Sequence, residues 1–598
     1  MDESKSSVNL VKEDLIHYGA VNPVYEGENS SKFNVKNRSG QNNGADELDR
    51  IDSSYERSEK QKLETYFNEC IEIPSAENYN FSWRRLWQFT GPGFLMSIAY
   101  LDPGNIESDL QAGTIAQYHL LWVLMWSTFL GLLMQRLAAR LGTVTGLHLA
   151  ELCYRRYPKL PRILLWIMVE IAIIGSDMQE VIGTAIAINI LTQGHVTVFY
   201  GVLITICDTF TFLFLDKYGL RKLEAFFGLL ITVMATTFGY EFFRVKPSPI
   251  SVGSGLLIPW CSHCQYGALM QAVGIIGAII MPHNLYLHSA LVKSRKIDRS
   301  NAAEVKDANR YVFIEAFIAL GVSLLINISV TSVFAHGLYG VTNAEVNAKC
   351  SNINYPIPNG TFPNNDELVD ADLFKAGIYL GCYFGLPALY IWAVGIFAAG
   401  QSSTMTGTYS GQFAMEGFLD LHWARWKRVL LTRTIAICPT LFIAYYRQQD
   451  LTGMNDLLNA LMSLQLPFAL LPTLTFTSSK KVMGQFKNDF TNIVVASSLS
   501  VVVISINIYF VGSFVKDNFP VTWWVILLAL TFVIFYLIFV VYLVGCFLVV
   551  IGCNWLTVLP IVGKYMREEH SIEHEHLSCD DSRANSPTSR GQSPNPLA

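Results

Sequence analysis

Charge is scarce in this chain. Only 15% of its 598 residues are Asp, Glu, Lys or Arg, against about 25% in an ordinary soluble protein. That excludes a water-soluble globular enzyme of the usual kind. What replaces the charge is a series of apolar runs of about 20 residues, the length a helix needs to cross a bilayer core. Motifs of covalent and phosphoryl chemistry are also lacking: there is no glycine-rich phosphate cradle, no nucleophile elbow and no HExxH pair. No enzyme, cofactor or nucleic-acid partner is therefore expected. An apolar leader is missing too. Residues 1–84 are polar and rich in Asn, Ser, Glu and Lys, which predicts a disordered cytosolic tail rather than a signal peptide. Residues 552–598 read as a second such tail.

The eleven cysteines form no metal framework. Cys153, Cys207, Cys382, Cys438 and Cys546 lie in or beside apolar spans and read as small buried residues. Cys261 and Cys264 make a lone CxxC in one loop, and Cys350 lies in another. Disulfides are open to these three if their loops face outside.

Between the tails, residues 85–551 divide into twelve expected spans, near 88–115, 119–141, 162–191, 196–215, 222–243, 268–292, 311–336, 377–410, 428–446, 453–477, 490–513 and 521–551. The basic clusters Arg155/Arg156/Lys159/Arg162, Lys217/Arg221/Lys222, Lys293/Arg295/Lys296/Arg299, Arg425/Lys427/Arg428 and Lys480/Lys481/Lys487 follow spans 2, 4, 6, 8 and 10. By the positive-inside rule that side is cytosolic, and both tails share it. The loop 337–376 then faces outside or a lumen, where its sequon at Asn359 is an acceptor for glycosylation.

Two spans contain groups ill suited to lipid. Asp102-Pro103-Gly104-Asn105 interrupts the first, and Met281-Pro282-His283 interrupts the sixth. Each proline removes a backbone donor, so the helix is expected to open there and free carbonyls such as those of Ala99 and Ala278. The two breaks are five spans apart, and an odd offset sets them antiparallel. That is the pattern of an inverted repeat, about 88–243 and 268–477, with substrate held where two discontinuous helices meet. Asp102 supplies a carboxylate and Asn105 a neutral oxygen. The plain structural alternative is a turn that caps a half-helix. Met281 sets the ion class, because a thioether favours Mn²⁺, Fe²⁺, Co²⁺, Cd²⁺ or Cu⁺ over Ca²⁺ and Mg²⁺. The alternative for Met281 is packing.

A second set suggests proton movement. Asp177 and Glu180 stand three apart on one helical face, where two carboxylates disfavour each other's charge, and Arg433 is a candidate countercharge. His283 and His288 are five apart and do not share one narrow face, so separate roles along a polar path are expected. Glu107 and Asp109 follow the first break on a polar face, and Glu107 joins the expected proton pathway. Asn459 is placed to reach the centre from span 10. Glu315, Asn327, Gln401 and Gln465 read as interhelical hydrogen-bonding groups.

The segments AYLDPGNIESDLQAG and GAIIMPHNLYLHSALVKSR, with SLQLPFALLPTLTFTS and GQSSTMTGTYSGQFAMEGFL, closely resemble the Nramp family of proton-coupled divalent-metal transporters, in its animal branch. The resemblance runs from about Phe81 to Leu556. It implies an all-α membrane protein with a LeuT-like 5+5 inverted repeat, helices 1 and 6 broken, and two extra helices at 490–551. It implies Mn²⁺ and Fe²⁺ moved with protons into the cytosol. Asp102, Asn105, Met281, Ala99 and Ala278 match the family's metal ligands, and His283, His288, Asp177, Glu180 and Arg433 match its proton path. The chain departs at Asn459, where some members carry Gln, and at Met462, where close animal relatives carry Gln. A metal sensor that signals through the tails without transport is the competing reading. Tyr18-Gly19-Ala20-Val21 fits a tyrosine-based sorting signal, which points to trafficking adaptors and to plasma membrane, endosome or lysosome.

Overall fold

Proline and glycine decide where the helices start and stop. In a computed structural model, residues 71–74, 79–215, 220–260, 266–351, 353–420, 425–446, 451–518, 522–553 and 556 are described. Most of both expected tails, with Tyr18, Cys261 and Cys264, lies outside those residues.

The chain runs from a two-residue strand β1 (Ile71–Glu72) through α1 (Trp83–Phe89), α2 (Pro92–Ile98), α3 (Pro103–Ala116), α4 (Leu121–Thr145), α5 (Leu149–Arg156), α6 (Lys159–Leu191) and α7 (Val198–Leu215). Next come α8 (Leu220–Val245), α9 (Pro249–Leu257), α10 (Tyr266–Ile279), α11 (Pro282–Leu291), strand β2 (Arg295–Lys296) and α12 (Ala302–Gly337). The remainder is α13 (Asn343–Cys350), α14 (Leu373–Phe384), α15 (Leu386–Leu419), α16 (Arg425–Tyr446), α17 (Leu451–Gln465), α18 (Pro467–Ser478), α19 (Lys480–Met483), α20 (Phe490–Asn518) and α21 (Trp523–Ile551).

Among the described residues, seven helical stretches are long and apolar enough to cross a membrane: α4, α8, α10 with α11, α12, α17 with α18, α20 and α21. The other five expected spans are helical but are not among these seven. The first is cut between α2 and α3, and α6, α15 and α16 carry polar residues into the bundle. In α7 the described apolar stretch is Val198–Cys207. The expected span 377–410 is divided at Gly385, whose φ of 97° suits glycine and ends α14.

Pro92, Pro103, Pro282 and Pro467 each occupy the first position of a helix, where a missing N–H costs nothing. α6 and α15 make the most extensive helix pair. The approach is close because glycines face it: a Cβ on Gly400 would strike Thr184, and one on Gly407 would lie 2.7 Å from Asp177. The first described residue is Ile71. β1 pairs in parallel with β2, and Ser82 N–H donates to the Tyr311 hydroxyl on α12 at 2.7 Å.

The cysteine expectations need correction. Cys382 is bonded to Cys350 and is not merely a small buried side chain. Because α13 and α14 converge, the bond closes the segment that carries Asn359. Cys153 and Cys546 are buried as expected, whereas Cys207 and Cys438 are exposed on the outer surface of their helices.

Candidate metal and proton sites

Breaking a helix inside a bilayer strands carbonyl groups that lipid cannot satisfy. Between α2 and α3 the chain supplies partners from two other helices. Ser323 Oγ on α12 donates to Ser97 O at 3.0 Å, and Asn327 Nδ2 on the same helix donates to Tyr100 O at 3.1 Å. Asn284 Nδ2 on α11 donates to Ala99 O at 3.4 Å. Asn327 thus has the interhelical role expected of it.

Asp102 caps α3, and its Oδ1 accepts from the Asn105 N–H at 2.7 Å. The capping alternative is therefore correct for one oxygen. The other, Oδ2, is buried without a hydrogen-bond partner, as are both side-chain polar atoms of Asn105. Each residue is 1% exposed. Buried polar atoms almost always find partners, so these three atoms are candidate ligand groups.

The second interruption is shorter. α10 ends at Ile279 and α11 begins at Pro282, with Met281 as its N-cap residue but no side-chain capping bond. Met281 and Ala278 are buried, and Asn284 N–H closes the turn on Met281 O at 3.2 Å. The Asn284 to Ala99 contact joins the two interruptions directly.

Asn459 lies at the same level. A Cβ on Gly277 of α10 would collide with the backbone of Asn459, so α17 meets α10 there. Asn459 Oδ1 accepts from Gln179 Nε2 at 2.8 Å, and the same amide donates to Asn455 Oδ1 at 2.6 Å. Gln179 also sits against Gly104, where a Cβ would lie 2.5 Å from its Oε1. Sequence reasoning passed over Gln179 and Asn284. A signal existed for each, an amide inside an apolar helix, but nothing in the chain order shows what the amide meets.

The acid pair is confirmed as a cluster. Arg433 Nη2 on α16 lies 3.5 Å from Asp177 Oδ1 and 3.4 Å from Glu180 Oε2, and donates to Thr404 O at 2.9 Å. Ser176 Oγ donates to Glu180 Oε1 at 3.1 Å. Thr404 belongs to the threonine- and glycine-rich stretch of α15, so three helices build the cluster. The histidines separate as their spacing predicts. His288 Nδ1 meets Gln135 Oε1 at 2.6 Å, and Gln135 Nε2 reaches the Tyr100 hydroxyl at 3.5 Å. His283 is buried, and its Nδ1 has no hydrogen-bond partner. Glu315 does not face the site. It accepts from Gly91 N–H and, at 3.0 Å, from Gly93 N–H, and so holds the start of α2. Glu107 is buried with Oε1 unpartnered, while Asn359 is exposed.

Among the described residues, no three His, Cys, Asp or Glu side chains converge as a resident metal centre would require.

Comparison with known proteins identifies the family. The family model described as natural resistance-associated macrophage protein-like, Nramp, matches residues 93–513. The chain is 60% identical over 493 residues to natural resistance-associated macrophage protein 2 of Homo sapiens, covering 82% of this chain and 86% of that one. It is 60% identical over 489 residues to Protein Malvolio of Drosophila melanogaster, with 80% and 82% covered. Among solved structures, a mutant of the manganese transporter of Eremococcus coleocola superposes with a TM-score of 0.67 at 30% identity, covering 81% of this chain and 97% of that one. Members of this family are multi-pass membrane transporters, not enzymes, and this chain belongs to the Nramp family.

Proposed function

We propose that this protein carries divalent transition-metal ions, Mn²⁺ and Fe²⁺ foremost, across a membrane together with protons and releases them into the cytosol. The observation that carries this reading is the Asn284 to Ala99 contact, which holds two helix interruptions together beside the unpartnered atoms of Asp102 and Asn105. The likeness to a manganese transporter points the same way.

An arriving ion exchanges part of its water shell for Asp102, Asn105, Met281 and the carbonyls of Ala99 and Ala278. Asn459 approaches from α17, where Gln179 holds it until the site closes. The Met281 thioether disfavours Ca²⁺ and Mg²⁺. A proton passes through Asp102 and His283 toward Asp177, Glu180 and Arg433, whose salt bridges rearrange as one carboxyl is protonated. His288 and Glu107 extend the polar path. In this reading twelve spans form two inverted five-helix repeats plus α20 and α21, and alternating access arises as the broken helices pivot. Both tails are cytosolic and open to trafficking adaptors, in the plasma membrane or the endosome–lysosome system. The loop holding Asn359 faces outward, where Asn359 is glycosylated. The Cys350–Cys382 bond supports that side, because disulfides persist in oxidising compartments.

The test is Mn²⁺ uptake into proteoliposomes at inside pH 7, with outside pH 5.5 or 7, for the wild type and Met281→Ala. Acid outside is expected to stimulate wild-type uptake, and Ca²⁺ is expected to be carried only by Met281→Ala. Metal binding without flux in either gradient would replace transport by the sensor reading.

A further inference from the structure

One turn outward from the Asp102 site, three helices each present a polar side chain that the transport reading above does not need for coordination. On α3, Glu107 and Gln111 share a face with Gly104, at spacings of three and four residues. On α17, Asp456 stands three residues before Asn459. On α10, Gln271 stands seven residues, two turns, before Ala278. Each helix that contributes to the central level therefore repeats a polar group on the same face at an outer level, about 5–10 Å further along its axis.

Two of these groups meet directly, Gln271 and Asp456. Gln271 Nε2 donates to Asp456 at 3.4 Å and 3.5 Å. A Cβ on Gly274 of α10 would lie 3.5 Å from Ser108 Oγ and 3.9 Å from Gln271 Oε1, which sets Gln271 beside the α3 face that carries Ser108. α3 packs against both α10 and α17, so Glu107 stands at the level of this pair. Several atoms here lack a hydrogen-bond partner although their residues are almost wholly buried: Glu107 Oε1 at 5% exposure, Gln271 Oε1 at 3%, and both amide atoms of Gln111 at 2%. Asp372 is already engaged, since its Oδ1 caps α14 through Lys375 N–H at 2.7 Å, and Lys375 Nζ is held on Asp370 O at 2.8 Å. The open positions are those of Glu107, Gln271 and Gln111, while Asp456 holds the Gln271 amide N–H.

We propose that Glu107, Asp456 and Gln271 form a second divalent-cation site, outside the Asp102 site and separated from it by the bridge from Gln179 to Asn455 and Asn459. Its donors are carboxylate and amide oxygens with no sulfur or nitrogen ligand. Such a set takes Ca²⁺ and Mn²⁺ alike. Two carboxylates and an amide cannot replace a full water shell, so the ion stays partly hydrated there. The outer site concentrates cations without choosing among them, and selection waits for Met281 one level deeper. The bridge from Gln179 to Asn455 and Asn459 stands between the two levels.

This inference rests on the transport reading, and a binding experiment separates the two. Full-length protein carrying Asp102→Ala, purified in detergent, is titrated with CaCl₂ and with MnCl₂ by isothermal calorimetry, alongside Asp102→Ala/Glu107→Gln and Asp102→Ala/Asp456→Asn. The expected result is about one equivalent of either ion in Asp102→Ala, with affinities for the two ions within roughly ten-fold, and at least a ten-fold loss in each double variant. Melting curves identify folded protein. Because Glu107 and Asp456 sit on different helices, one double variant suffices if the other fails to fold. An Asp102→Ala protein that binds neither ion, or folded double variants that bind as Asp102→Ala does, would overturn the outer site. A wild type that moves no Mn²⁺ in proteoliposomes would overturn the transport reading instead, whatever the titrations show.

Discussion

Asn284 reaches from the first turn of α11 and donates its side-chain N–H to the carbonyl oxygen of Ala99, 3.4 Å away. One amide thus ties the second interrupted helix to the backbone opened by the first. The same amide's Oδ1 is buried without a partner, so Asn284 faces the site as well as bracing it. Asn284→Ala removes one hydrogen bond, about 0.5–1.5 kcal/mol, and frees the Ala99 carbonyl. The expected outcome is folded protein, a slightly lower melting temperature and Mn²⁺ uptake reduced roughly three-fold or more. Wild-type uptake kinetics would show that the contact plays no part in the cycle.

Gly104 has a tighter constraint than its place in a turn suggests. An added methyl would lie 2.5 Å from Gln179 Oε1, and Gln179 is the donor to both Asn455 and Asn459. Gly104→Ala should displace that side chain, at a cost of about 1–3 kcal/mol for overpacking, and abolish most uptake. Gly104→Ala combined with Gln179→Ala should recover part of the stability. Failure of the second change to restore any melting temperature would place the strain elsewhere.

Arg433 is 4% exposed and is the cation that faces both Asp177 and Glu180. Removing one partner of a buried ion cluster costs about 3–5 kcal/mol, because the remaining charge is left uncompensated. Arg433→Leu is expected to lower the melting temperature sharply at pH 7.5. Arg433→Lys should fall between, since an ammonium is a point charge without the guanidinium fork that spans two carboxylates. A wild-type melting curve for Arg433→Leu would mean that both acids are already protonated and need no countercharge.

The Cys350–Cys382 bond predicts a redox-dependent stability. Opening a native disulfide of this kind costs about 2–5 kcal/mol. Reductant should lower the melting temperature of the wild type and leave Cys350→Ser unchanged. In intact cells a membrane-impermeant reductant should act equally well if the loop with Asn359 faces outward, and resistance to it would reverse that topology.

Glu151, on the short helix α5, is pinned by Lys293 at 2.8 Å and closes a capping box on the His148 N–H at 2.7 Å. Burial alone would raise its carboxyl, but the positive charge around it prevails and lowers it from 4.5 to about 2. With a depressed folded-state value, the stabilisation is complete above about 4.5 and is lost as pH falls toward 2. Nothing changes there between pH 5.5 and 7.5. Glu151→Gln should therefore lower the melting temperature yet preserve acid stimulation of uptake. Loss of that stimulation in the variant would implicate this contact in proton coupling.

Composition and helical period made the membrane class legible, because lipid demands apolar length in every span. The breaks at Pro103 and Pro282 were legible for the same reason: a missing donor and a buried carboxylate need no neighbour to be recognised as costly. The spacing of Asp177 and Glu180 fixed their shared face, and that of His283 and His288 their separation. Gln179, Asn284 and Gln135 were not legible as site residues. Each is a lone amide in an apolar helix, and its meaning is set by the group it meets more than a hundred residues away. The Cys350–Cys382 pairing was hidden likewise, since one cysteine looked like a loop residue and the other like packing.

The sequence alone therefore determined which residues are too polar for lipid and where the helices must open, because both follow from local covalent chemistry and the nature of the solvent. Only the tertiary structure decided which opened carbonyl is held by which side chain, and which polar atoms remain unpartnered. Those outcomes depend on distances between helices, set by where glycines allow α6 to approach α15 and α10 to approach α17.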